Sequence, residues 1–206
     1  MVVNYSRDID YHTQRNNKLI PHSSCNSTSM IMALKQAGVR LPFPSYMQPE
    51  DYLTHFLNSK QAIAKMALLA PDLVDTETMQ PLIPPHELHC LMEWAVNTLL
   101  GKEVVRFSTA TSLKKIIAHI DNGGGAVLSG RFPHYINGHI NHMVSLAGYM
   151  VHNKLISYLL IDDPYGDYMT GYRSHKGNNI PIAIEKAKTI FKPTKDSNEK
   201  WAYLVG

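Results

Sequence analysis

The chain has 206 residues, 44% of them apolar, enough for one sizeable core and pointing to a single domain over residues 1–206. The net charge of +3, from 20 basic and 17 acidic residues with no basic block interleaved with aromatics, excludes a nucleic-acid-binding stripe. No apolar run approaches the roughly 18 residues that cross a bilayer, which excludes membrane insertion. The polar start MVVNYSRDIDYHTQRNN lacks the apolar stretch of a signal peptide. The expectation is a soluble protein that stays in the cytoplasm of the producing cell or leaves by another route. Two cysteines, Cys25 and Cys90, are too few for a disulfide framework or a tetrathiolate zinc site.

Residues 1–22 read as an extended or looped lead-in ending at Pro21. HSSCNSTSMIMALKQAG then has Ser23 or Ser24 to cap a helix and Gly38 to end it. Pro42, Pro44 and Pro49 mark a loop, and a helical pattern runs from Asp51 to about Leu69 with a break near Asn58-Ser59. Residues 70–85 are loop, with Pro84-Pro85 opening a helix in which Leu88, Leu91, Met92, Ala95 and Leu99 share a face and Gly101 is the stop. The stretch 41–101 is thus a helical elaboration.

The pattern then changes. VVRF at 104–107 reads as a strand, and Thr111-Ser112 caps a short helix through LKKIIAHI. After a tight turn at Gly123-Gly124-Gly125, AVLSG, HMVSLAGYM and LISYLLID are three strands, and YMTGY is a short fourth. IPIAIEKAKTIF is helix-like, and WAYLVG is a closing strand. Helices first and an antiparallel sheet afterwards define the α+β class.

Cys25 falls within a residue or two of a helix start, where unpaired N–H groups and the dipole favour a thiolate, the reactive form of cysteine. Its small polar neighbours do not wall it off, although a small buried apolar residue is an equally simple account of the position. The segments GHINHMVSLAGY and LISYLLIDDPYGD form a hairpin across His152-Asn153-Lys154. Antiparallel pairing brings a histidine early on one strand near a carboxylate late on the next, the arrangement that fixes an imidazole's tautomer. His139 competes with His142 for that place, and Asp162 with Asp163.

Taken together, these pieces resemble the papain-superfamily peptidases related to the double-glycine leader peptidases of bacteriocin exporters. They are most similar to a peptidase-like branch found as wall-lytic enzymes in Gram-positive bacteria and their phages. The carriers are YHTQRNNKLIPHSSCNSTS, HMVSLAGY and DPYG, with the glycine-rich turn and the Trp-Ala strand. The sequence departs from that pattern at Asn16 and Ser27, neither in a catalytic role. The resemblance implies a papain-like fold, with Cys25 as nucleophile, His142 as base and then acid, Asp163 as its orienter and Gln14 as an oxyanion donor. It also implies hydrolysis of a peptide bond without a cofactor. The substrate would be a peptide in peptidoglycan, reached by a phage endolysin released through a holin. A protein-processing peptidase or isopeptidase inside the cell is the alternative, and an inactive binding protein on the same scaffold is a third. Oligomeric state is left open.

One other constellation has metal-ligand residue types. His86, His89, Cys90 and Glu93 lie within two helical turns, but HELHC is not His-Glu-x-x-His. On a helical wheel these residues fall away from the Leu88–Leu99 face, so a solvated surface is expected and no metal. Tyr135, Tyr149, Tyr165 and Trp94 are candidates to line a cleft, with Trp94 better suited to packing.

Overall fold

The structure, a computed structural model, describes residues 1–191 and 200–206. Helix α1 spans Cys25–Gln36, followed by α2 at Pro49–Leu57, α3 at Lys60–Leu69 and α4 at His89–Leu100. A short strand β1, Val2–Asn4, precedes them. After α4 come β2 (Val105–Thr111), α5 (Leu113–Asp121), β3 (Gly125–His134), β4 (Gly138–His152) and β5 (Leu155–Asp162). The chain closes with β6 (Ile180–Ala183), α6 (Ile184–Ile190) and β7 (Lys200–Val205).

Among the described residues, seven strands form one antiparallel sheet in the order β2-β7-β3-β4-β5-β6, with β1 paired to β4 outside that path. Strand β4 is long enough to serve two partners on one edge. Its first half pairs with β3 from Gly138 to Ser145, and β1 then takes Gly148 to Met150. Alternation along the strands divides the core. Val127, Met143 and Tyr203 face the helices α1 to α4, whereas Ala126, Leu128, Val144 and Ala202 face α5 and α6. Helices therefore cover both faces, and both strand faces are apolar.

Helix α1 is buried almost throughout, from Asn26 to Leu34, and lies against β3 and β4. The approach is close at Gly125, where a Cβ would come 2.1 Å from the Ala33 carbonyl oxygen. Ser24 stands at the expected N-cap position, but its hydroxyl does not cap. It accepts from Asn17 Nδ2 at 2.7 Å, and the same amide donates to Thr28 Oγ1 at 3.0 Å. The lead-in is thereby tied to the first turn of α1.

Two expectations are corrected. YMTGY is not a strand: Tyr168–Thr170 is a 3₁₀ turn whose Met169 N–H donates to the Asp167 carboxylate, and Gly171 and Tyr172 both turn left-handed, with φ of +65° and +70°. IPIAIEKAKTIF is not one helix. Its alternating isoleucines Ile180 and Ile182 place it first in the sheet as β6, and the helical period begins only at Ile184.

The two tight glycines differ in what surrounds them. Gly148 would bring a Cβ equally close, 2.1 Å, to the Val3 carbonyl oxygen, but β1 is only three residues long and can shift. Ala33 is fully buried and cannot. Gly125→Ala is expected to cost about 3 kcal/mol and Gly148→Ala about 1 kcal/mol or less, read from urea-unfolding midpoints. Equal costs would contradict this account of how α1 is seated.

Candidate active site

The site forms where the two halves of the core meet. Cys25, partly exposed, opens α1 and packs against the α1–α4 cluster. Its neighbour Asn26 is buried and donates from Nδ2 to the His86 carbonyl at 2.8 Å and to the Tyr203 hydroxyl at 3.2 Å. The helix start is thus locked to the segment before α4 and to β7.

His142 sits on β4 beside the other cluster, 4% exposed, with rings edge-on around it: Phe132 at 5.5 Å and Tyr172 at 5.8 Å. In the β4–β5 hairpin Ser145 lies opposite Asp162, so the residue after β5, Asp163, comes level with the start of this stretch. His142 Nε2 donates to Asp163 Oδ1 at 2.7 Å. That bond commits Nε2 to the carboxylate and leaves Nδ1 for the hydrogen bond with the Cys25 side chain. Burial pulls the imidazole's pKa down, but the charge of Asp163 and the hydrogen bonds from Asp163 and Cys25 outweigh it, and the net value is raised to about 10. Asp163, fully buried, also accepts the Tyr165 N–H on Oδ1 at 2.9 Å, while its own N–H reaches the Gly177 carbonyl.

Gln14 reaches this region because the lead-in folds back onto residues 163–165. The Gln14 N–H donates to the Pro164 carbonyl at 2.9 Å, and Thr13 Oγ1 donates to the same oxygen at 3.2 Å. Arg15 Nε donates to the Tyr165 carbonyl at 2.7 Å while its guanidinium lies 3.9 Å over the Tyr165 ring. The side chain of Gln14 is buried, with Nε2 donating to the Pro21 carbonyl at 2.9 Å, and it lines the same cleft as Cys25 and His142. Beyond it, Asp51 accepts the N–H groups of Lys18 and Leu19, holding the turn that leads into α1.

The rivals lie elsewhere. His139 is exposed and pairs across the ladder with Pro133. Asp162 is turned away from His142, accepting from Ser6 Oγ and the Asn179 N–H. The cleft, about 770 Å³, is lined by residues from the β3–β4 hairpin (Arg131, His134, Asn137, Asn141) and from the start of α4 and the turn before it (His86, Glu87, His89), with His22, Ser23 and Tyr165. Trp201 also lines it, a contribution its place in a short closing strand did not signal.

The helical-wheel expectation for His86 and His89 is corrected. Helix α4 begins at His89, and His86 belongs to the preceding 3₁₀ turn, so the two do not share a solvated face. His86 is buried, and His89 packs on Phe107, Trp201 and Tyr203 with its Nδ1 2.9 Å from the Tyr203 hydroxyl. Burial pushes the pKa of both down, that of His89 to about 4, so both line the cleft as neutral rings at pH 7. Among the described residues no three His, Cys, Asp or Glu side chains cluster as a metal site needs. Of the aromatic candidates, only Tyr165 lines the cleft; Trp94 stacks on Phe56, and Tyr149 bonds Asp121.

The model of the Peptidase_C39 like family matches residues 6–187, a span that includes Gln14, Cys25, His142 and Asp163. None of the curated proteins matches the chain. Among solved structures, that of a candidate C39-like peptidase from Bacillus anthracis covers 100% of this chain and 98% of its own, at a TM-score of 0.54 and 14% identity, a likeness of fold. The Salmonella effector SpvD covers 56% of this chain and 58% of its own at a TM-score of 0.31 and 17% identity, too low to argue from. The architecture is the α+β papain type, with an antiparallel sheet and the helix headed by Cys25. With most of its length matched by that model, the chain belongs to the Peptidase_C39 like family.

Proposed function

We propose that the protein is a cysteine peptidase in which Cys25, His142 and Asp163 act as nucleophile, base and orienter. The observation that carries this is the buried His142 ring, bonded to Asp163 through Nε2 at 2.7 Å and to the Cys25 side chain on its other side, at the wall of an open cleft. Family membership points to the same activity.

In this mechanism the thiol proton already rests on His142, whose imidazolium persists through neutral pH, and the sulfur attacks the scissile carbonyl to form a tetrahedral intermediate. The Cys25 N–H, at the start of α1 with no intrahelical acceptor, and Gln14 Nε2 donate to the oxyanion. Gln14 spends one amide proton on Pro21, which orients the group and leaves the second proton for the substrate. His142 then gives its proton to the leaving amine, and an acyl-enzyme remains. A water activated by the same ring releases the acid. The neutral His89 and His86 add no positive charge near the sulfur.

For substrate we propose a peptide bond in bacterial peptidoglycan, in the stem or the cross-bridge, as for a phage endolysin. The support is the resemblance carried by the Gln-Arg, Cys-Asn and Asp-Pro-Tyr-Gly segments, and a broad cleft lined with polar side chains that has room for a branched chain. Digestion of purified cell walls followed by mass spectrometry of the fragments tests it. New N-termini at one peptide bond support the reading, and intact walls alongside cleavage of a protein substrate overturn it.

Cys25→Ala is expected to abolish hydrolysis while leaving the fold intact. Asp163→Asn should lower kcat by about a hundredfold or more, since a neutral amide neither fixes the Nε2–H tautomer nor balances the imidazolium. Gln14→Ala should lower kcat by about a hundredfold with little change in KM, because its donor acts on the oxyanion. Wild-type-like rates in either variant would remove that residue from the mechanism.

The two kinds of histidine should separate in an ¹⁵N NMR titration. His142 is expected to stay protonated through neutral pH, and His89 to be neutral above about pH 4. A folded-state pKa above the unfolded value of about 6.5 adds stability that is complete below pH 6.5 and fades as pH approaches 10. The stability gap between wild type and Asp163→Asn should therefore narrow over that range in denaturant titrations. A gap that widened would contradict the assignment.

A further inference from the structure

Asp163 has two carboxylate oxygens, and its surroundings serve them unequally. Oδ1 accepts from His142 Nε2 at 2.7 Å and from the Tyr165 N–H at 2.9 Å. Oδ2 is buried and has no hydrogen-bond partner. A charged oxygen left this way is costly, and buried polar atoms are almost always met.

One buried group nearby has the opposite deficiency. The Tyr172 hydroxyl is also buried without a partner, and the residue as a whole is 2% exposed. Its ring stands edge-on to His142, with centroids 5.8 Å apart at 82°, and against Tyr165 at 5.2 Å. Burial first, and then the charge of Asp163, push the phenol far above its ordinary range. An unmet donor and an unmet acceptor are thus both buried around the same imidazole. Contacts of this kind are often loose in a free enzyme and tighten around substrate.

The backbone gives a second, independent sign. Tyr172 is held at φ +70°, a left-handed conformation that costs a residue with a Cβ about 1–2 kcal/mol. Such strain persists where the surroundings over-determine it. Here the Tyr172 N–H donates to the Asp167 carbonyl at 3.0 Å, and Arg15 Nη2 reaches the Tyr172 carbonyl at 3.5 Å. The strained turn swings the ring inward, where a strand in its place would have carried it along the sheet.

We propose that Tyr172 is a positioning residue of the site, its hydroxyl donating to Asp163 Oδ2 and fixing the carboxylate that orients His142. The role rests on the reading of Cys25, His142 and Asp163 as a catalytic set. Tyr172 itself touches neither the thiol nor the substrate in this assignment. It removes the freedom of Asp163 to rotate, so that Oδ1 stays on Nε2 as the ring gains and loses its proton.

The test is Tyr172→Phe in a Cys90→Ser background, which keeps the ring and leaves Cys25 as the single thiol. Two readouts are taken: solvent exchange of the His142 Nε2–H by NMR, and the rate of Cys25 alkylation by iodoacetamide from pH 5 to 9. Loss of the hydroxyl should speed the exchange at least about tenfold, the worth of one hydrogen bond to a charged group. It should also move the acid limb of the alkylation profile up by about one pH unit, because the carboxylate that supports the imidazolium is held less well. An exchange rate and profile equal to those of the Tyr172 protein would overturn the proposal. Failure of the underlying reading looks different: His142→Ala would then leave Cys25 alkylation unchanged, while the exchange measurement still decides whether Tyr172 holds Asp163.

Discussion

A carboxylate with no exposure to water must have its charge met by the protein, and Asp163 is the place where this molecule satisfies that demand. Two donors meet one of its oxygens, and two further bonds hold its backbone. His142 and the Tyr165 N–H serve one oxygen, the Asp163 N–H bonds Gly177, and the Tyr11 hydroxyl donates to the Asp163 carbonyl. Gly177 is needed at its position because a Cβ there would lie 1.9 Å from that same carbonyl oxygen. The corner at 163–165 is therefore the point on which the lead-in, strand β4 and the loop before β6 converge.

The lead-in shows how strongly the corner organises remote chain. Thr13, Gln14 and Arg15 all bond residues 164 and 165, and Asn17 continues the connection into α1. A second polar line runs behind it. Lys35 Nζ on α1 meets His12 Nε2 at 2.6 Å, and His12 Nδ1 meets Glu50 on α2 at 3.1 Å. With an ammonium on one side, His12 carries its proton on Nδ1 and donates it to the carboxylate. The segment that carries Gln14 is thus fixed on both sides by interactions specific to geometry rather than by apolar burial, which a polar lead-in could not supply.

Much of this was legible in the residues. The helix headed by Cys25, the break between α2 and α3 and the β4–β5 hairpin follow from caps, prolines and alternation, and the hairpin alone brings a histidine near a carboxylate. Choosing His142 over His139 and Asp163 over Asp162 required the resemblance, because alternation along a strand places both members of each pair plausibly. What was not legible has physical causes. Tyr172 lies in a stretch whose alternation suits a strand, and only the left-handed pair at 171 and 172 turns it inward. His86 and His89 were projected on one helix, although a 3₁₀ turn separates them and sends each toward the cleft. Trp201 depends on β7 entering between β2 and β3, a pairing with no local signal.

The bond from Asn26 to Tyr203 joins residues 177 positions apart, and the one from Thr13 to Pro164 spans 151. Contacts so distant in sequence form late, since the loops they close must be ordered first. During synthesis the thiol of Cys25 leaves the ribosome long before His142, and β7, the strand that locks the helix start, follows later still. A nascent chain of this protein therefore exposes Cys25 before the imidazole and carboxylate that meet it in the fold exist.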